Sequence, residues 1–91
     1  MALQILNAGD ANDPAKIAAD MQTRIEAAID GADVTVSPAG PGHYEVRVVS
    51  SAFEGLNRVK QQQLVYGAIA ELMSGQNAPV HAIDKMECLT P

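Results

Sequence analysis

The chain has 91 residues, 47% of them apolar and 19% charged, enough for one hydrophobic core and too few for a second domain. Eleven acidic against six basic residues leave a net charge of −5, which opposes a nucleic-acid backbone as partner, and Arg58 and Lys60 form the sole close basic pair. One cysteine, Cys88, excludes an internal disulfide and a multi-cysteine zinc site within one chain.

Apolar stretches of a few residues fall far short of the roughly 20 that cross a bilayer. Met1 to Gly9 holds no Lys or Arg and no apolar run of secretory length. With a lone thiol, which fits a reducing compartment, this predicts a cytoplasmic protein with no membrane partner. Tyr44, Phe53 and Tyr66 are the aromatic residues, so the core must be built from Val, Ile, Leu, Met and Ala.

Residues 1–12 carry no sustained period and are expected to form a flexible N-terminal tail, with the folded domain over residues 13–91. Asp13-Pro14 supplies an N-cap acceptor followed by proline at the first helical position, and Gly31 lies just past the last periodic residue. Between them Ile17, Met21, Ile25, Ala28 and Ile29 define the buried stripe of a helix. Val34 and Val36 then alternate with polar residues, as do Tyr44, Val46 and Val48, which predicts two half-buried strands. The turn-forming link Pro38-Ala39-Gly40-Pro41-Gly42 is short enough to make them an antiparallel hairpin.

Ser51-Ala52-Phe53-Glu54 has capping-box spacing, but Gly55 allows one turn at most. Asn57 caps a second long helix with Leu64, Val65, Ala68, Ile69 and Leu72 on its stripe, and Gly75 is placed to end it. Gly67 inside that helix is explained either by close approach to the sheet or by simple tolerance. Gln76 to Pro79 is a loop, and Ala82 to Leu89 reads as a last strand with weak alternation. Met21, Met73 and Met86 are read as core.

The resulting order, αββαβ with a short helical turn before the second long helix, specifies a two-layer α+β domain with both helices on one face of a three-stranded mixed sheet. A right-handed crossover through the second helix leaves the second and third strands parallel. No nucleophile elbow, phosphate-binding glycine loop or dinucleotide fingerprint occurs, so an enzyme is not expected. Ser50 and Ser51 are read as turn and cap residues.

His43 opens the second strand and His81 the third, so the topology places both histidines at one edge of the sheet, about one or two strand spacings of ~4.8 Å apart. They are either surface and capping residues or two ligands for a borderline metal or a cluster iron, with the remaining ligands supplied by another molecule. Cys88, about 23 Å along the strand from His81, lies at the opposite edge and is read as a small core residue.

The run from Val48 to Gly67, with V-V-S, F-x-G and V-x-x-x-x-x-V-Y, followed by His81-Ala82 and a closing Thr90-Pro91, resembles the BolA family. The wording R-V-K-Q-Q-Q-x-V-Y-G is similar to its IbaG-like branch; an R-H-R triplet of the founding branch is replaced here by Gln61-Gln62-Gln63. The stretch after His81 is one residue longer than that branch leads one to expect, which predicts a bulge.

This resemblance implies a type II KH-like fold and a monothiol glutaredoxin as partner, bound in apo form or through a shared [2Fe-2S] cluster whose glutathione comes from the partner. The histidine of the H-A motif, a cluster ligand in such complexes, maps onto His81. A second ligand comes from the loop between the first two strands, and His43 is the nearest candidate; Ala39, Gly40, Pro41 and Gly42 before it have no ligating side chain. The expected function is therefore a non-enzymatic adaptor in iron–sulfur cluster trafficking or iron sensing. The alternative implied by the resemblance, a nucleic-acid-binding regulator of transcription or stress response, is disfavoured by the charge and by the lack of a G-x-x-G loop. Self-association is left open.

Overall fold

The computed structural model describes residues 13–91, so the expected tail over residues 1–12 lies outside the described residues. The chain runs through α1 (Pro14–Ala28), β1 (Asp33–Gly40), β2 (His43–Val49), a 3-10 turn (Ser51–Phe53), α2 (Arg58–Ile69), a second 3-10 turn (Ala70–Met73) and β3 (Ala82–Leu89). The strands form one sheet in the order β1-β2-β3, with β1 antiparallel and β3 parallel to β2. This is the mixed three-stranded α+β architecture that the order of elements predicts.

Local chemistry accounts for the element ends. The Asp13 carboxylate accepts a hydrogen bond from the Ala15 amide at 2.9 Å, and Pro14 occupies the first turn of α1. Asn57 Oδ1 accepts from the Lys60 amide at 2.9 Å to cap α2. At its other end α2 tightens into the 3-10 turn, short of the expected stop at Gly75, and Gly75 follows with φ +90.

One face of the sheet meets both helices. Ile17, Met21 and Ile25 of α1, Ile29 just past its end, Val65 and Ile69 of α2, and Val34, Tyr44, Val46 and Val48 of the strands form a single buried cluster closed by Phe53 and Val80. Met73, Met86 and Cys88 pack half-buried against it. Two expected stripe positions fail: Ala28 and Leu64 are exposed, while Ala18 is buried. Both failures sit at the rim of a stripe, where one step of 100° around the helix turns a side chain to solvent.

Two further expectations are corrected. Pro38 to Gly40 belongs to β1, with the register irregular between Pro38 and Gly40, and the turn itself is Pro41-Gly42. An edge strand tolerates proline because no neighbouring strand on that side requires its missing N–H. Ser50, not Ser51, caps the first 3-10 turn. Its buried hydroxyl accepts from the Ala52 amide at 3.0 Å and donates to the Asp30 carbonyl at 2.7 Å. Gln61 ties the start of α2 to this turn, because its side-chain amide donates to the carbonyls of Phe53 and Leu56 at 3.2 and 3.0 Å.

Gly67 is exposed, and a Cβ built there meets nothing within 4 Å, so close helix–sheet approach does not explain it. Gly67→Ala should therefore stabilise the domain by about 1 kcal/mol, raising the melting temperature by about 4–8 °C in thermal unfolding followed by circular dichroism. A fall would mean that the glycine serves a contact not present in the folded chain.

The predicted bulge occurs in β3. Tyr44 is paired with Ile83 but Glu45 with Lys85, which leaves Asp84 as the extra residue. The slip has a physical cause: Ile83 and Met86 are three apart, and strict alternation cannot put both on the helix face. One inserted residue returns Met86 and Cys88 to the core side, opposite Val46 and Val48.

Candidate functional site

The turn at Pro41-Gly42 and the start of β3 meet at one end of the sheet. The Gly42 carbonyl accepts hydrogen bonds from the amides of both His81, at 2.7 Å, and Ala82, at 3.1 Å, so the hairpin tip is tied to the entry of β3. Gly42 has φ +74, a left-handed conformation that favours glycine. Its missing side chain also matters for packing: a Cβ on Gly42 would lie 2.8 Å from His81 Cγ and 3.0 Å from its Nδ1. The imidazole thus rests with its Cγ–Nδ1 edge against the glycine, and Nε2, across the ring from Cγ, is turned away from it. Among the described residues nothing hydrogen-bonds the His81 ring, and His81 is exposed.

His81 lines an open cavity of about 770 Å³. Pro14 and Ile17 of α1, the proline- and glycine-rich hairpin, Tyr44, and the Gln76–Pro79 loop form its walls, which are apolar apart from the amides of Gln76 and Asn77, the Tyr44 phenol and the imidazole. Burial pushes the Tyr44 phenol above its usual range, with a smaller contribution from the charge of Asp13, so it remains an uncharged donor at neutral pH.

His43 sits at the same end of the sheet, its backbone paired with that of Ala82. Its ring goes elsewhere. Tyr44 is buried against the helices, so alternation directs the neighbouring His43 to the open face of the sheet. There Nδ1 lies 2.8 Å from Asp84 Oδ1, with both side chains nearly half exposed. Two more pairings continue down this face, Glu45 beside Lys85 and Arg47 beside Glu87, the latter at 3.8 Å.

The topology therefore brings the two histidines together in backbone position, as expected, but sends one ring to the cavity side and the other to the open face. Among the described residues no group of three or more His, Cys, Asp or Glu side chains gathers in a way that could hold a metal ion. Cys88 takes no part: it is paired with Val48 at the far end of β3, half-buried, and burial pushes its thiol up, away from the reactive thiolate form.

Asp84 is the site residue that sequence reasoning missed, although a signal was present in the broken alternation of Ile83-Asp84-Lys85-Met86. Gly42 was legible as a turn residue but not as the seat of the His81 ring. No described helix is long and apolar enough to cross a membrane.

Comparison with known proteins agrees with the fold. A family model described as BolA-like protein matches residues 20–91. The acid stress protein IbaG of Escherichia coli K12 is 33% identical over 72 residues, which cover 79% of this chain and 81% of that protein. Human BolA-like protein 1 is 46% identical over 48 residues, 53% of this chain. The chain spans about a third of the length of the human and orangutan relatives it matches. Among solved structures, BolA1 from Arabidopsis thaliana superimposes with a TM-score of 0.67 at 25% identity, covering 81% of this chain and 90% of that one. BolA1 from Mus musculus gives 0.66 at 31% identity, over 82% and 65% of the two chains. With the family model covering most of the described residues and the tertiary structures in accord, the chain belongs to the BolA-like family.

Proposed function

We propose that this protein is a non-enzymatic adaptor in iron–sulfur cluster trafficking or iron sensing, which binds a monothiol glutaredoxin and offers His81 to a [2Fe-2S] cluster held between the two. The observation that supports this most directly is the state of His81. Its imidazole is exposed, seated on Gly42, without a hydrogen-bond partner among the described residues, and has Nε2 turned away from its own backbone. A neutral imidazole nitrogen presented in this way is a good ligand for iron.

The residues present fit half of a coordination set. His81 supplies one donor nitrogen. His43 has a second, since Asp84 engages only Nδ1. Both belong to one rim, and the glutaredoxin thiolate and its glutathione complete the set on the partner's side. Because the two rings lie on different sides of the sheet end, joint ligation requires movement of the Pro41-Gly42 turn that carries His43 and seats His81. When bound, the cluster supplies electron-transfer and transfer chemistry that the polypeptide lacks. The chain's own contribution is to place His81 at the mouth of the open cavity and to present a surface for the partner.

The test is reconstitution of the full chain with a monothiol glutaredoxin, glutathione, iron and sulfide, followed by visible absorption and circular dichroism. His81→Ala should lose the heterodimer spectrum or lower its cluster occupancy by at least about 10-fold, since even outer-shell changes at metal sites reach that size. An unchanged spectrum would remove His81 from the ligand set and this reading with it.

A further inference from the structure

The bulge in β3 and the pairing of His43 belong together. In a regular ladder Asp84 would stand opposite Glu45; the bulge instead leaves it outside the ladder, between Ile83 opposite Tyr44 and Lys85 opposite Glu45. From there Asp84 reaches across to the first residue of β2 and its Oδ1 lies 2.8 Å from His43 Nδ1. We infer that Asp84 is a positioning residue for His43: its carboxylate holds the Nδ1 proton, so that the neutral ring keeps its lone pair on Nε2 and presents that nitrogen to a metal. This inference rests on the cluster-sharing reading given above.

The argument is one of hydrogen-bond roles. An ionised carboxylate has only acceptor sites, so a contact of this length requires Nδ1 to be the donor. A neutral imidazole with its proton on Nδ1 has an acceptor only at Nε2. Metal-binding histidines commonly donate their second ring nitrogen to a carboxylate or carbonyl, which fixes tautomer and ring orientation together. Free imidazole side chains in water favour the opposite tautomer, with the proton on Nε2, so the carboxylate has an effect that can be measured.

His81 turns its Nε2 outward by another route, with no group among the described residues to fix its tautomer. Its Nδ1 edge is packed on Gly42 and has no carboxylate partner among the described residues. The two rings thus have their Nε2 atoms available through different devices, one steric and one electrostatic.

The first measurement needs no cluster. In the full apo chain with nitrogen-15-labelled histidine, at a pH where the ring is neutral, two-bond nitrogen–proton correlations should show His43 with Nδ1 protonated and Nε2 bare. Asp84→Ala should shift His43 toward the form protonated on Nε2 and leave His81 unchanged; Asp84→Asn, which keeps the shape but removes the charge, should give a smaller shift in the same direction. Wild-type His43 protonated on Nε2, or tautomer populations unmoved by Asp84→Ala, would overturn the inference.

The second measurement uses the heterodimer loaded with its cluster and challenged with a ferrous chelator. Asp84→Ala should lower retention about 10-fold, by as much as groups that hydrogen-bond a metal-ligating histidine usually affect affinity. Retention unchanged in both Asp84→Ala and His43→Ala, with His81→Ala still losing the cluster, would overturn the positioning role while the cluster-sharing reading stands. Tighter retention in Asp84→Ala would also overturn it, since the carboxylate would then be a latch that withholds the ring. Failure of the underlying reading has a separate signature, an unaltered cluster in His81→Ala.

Discussion

Replacing Gly42 with alanine is expected to lower the stability of the domain by about 1–2 kcal/mol and, under the role proposed for His81, to abolish cluster binding by displacing its ring. The first effect follows from φ +74, where an L side chain crowds its own backbone. The second follows from the 2.8 Å approach of a Cβ to His81 Cγ, a distance at which one of the two must move. Gly31→Ala is the control. Gly31 has φ +62 and nothing within 4 Å of a built Cβ, so it carries the same backbone strain with no contact near the histidine. Both variants should melt about 4–8 °C lower for each kcal/mol lost. Only Gly42→Ala should shift the His81 ring resonances and lose the heterodimer spectrum. Equal spectra in the two variants would show that the ring's seat does not govern ligation.

The largest effect on stability is expected at Phe53. Its side chain is 1% exposed and stands in the 3-10 turn that carries the chain from β2 to α2. Its backbone carbonyl accepts from the Leu56 amide at 3.1 Å and from the Gln61 side chain at 3.2 Å. The ring thus pins the crossover to the core just where the path must turn toward α2. Phe53→Ala should cost about 3–5 kcal/mol, the range for buried aromatic truncation. Domains of this kind have about 5–15 kcal/mol in total. Urea unfolding should therefore show a midpoint shifted strongly downward with a similar slope; a loss under about 1 kcal/mol would mean that the crossover closes over the gap. Phe53 is one of only three aromatic residues in the chain, so few other side chains can fill the space it leaves.

Caps, glycines and apolar periods are local signals, and they made much of the architecture legible. Asp13-Pro14 and Asn57 start helices where expected, Tyr44, Val46 and Val48 face the core, and β3 spans Ala82–Leu89. The parallel placement of β2 and β3 also followed from element order, since a strand reached through a helix must run alongside. Element order therefore assigns the backbones of both histidines to one end of the sheet. Stripe rims such as Ala28 and Leu64 turn out exposed because a helical period does not say how wide a face its neighbours cover.

By itself the sequence determined the order of elements, the topology that follows from it, the family and the identity of the two rim histidines, because each rests on chemistry confined to a few neighbouring residues or on chain connectivity. Only the tertiary structure decided where the rings go. A bulge after His81 was expected from the length of that stretch, but its position at Asp84 is set by the demand that Ile83, Met86 and Cys88 all reach the core, and that demand exists only when β3 lies against β2 beneath two helices. Asp84 beside His43 and His81 on Gly42 are contacts between residues 41 and 39 positions apart in the chain, and side-chain direction at such contacts is fixed by packing, which no local pattern encodes.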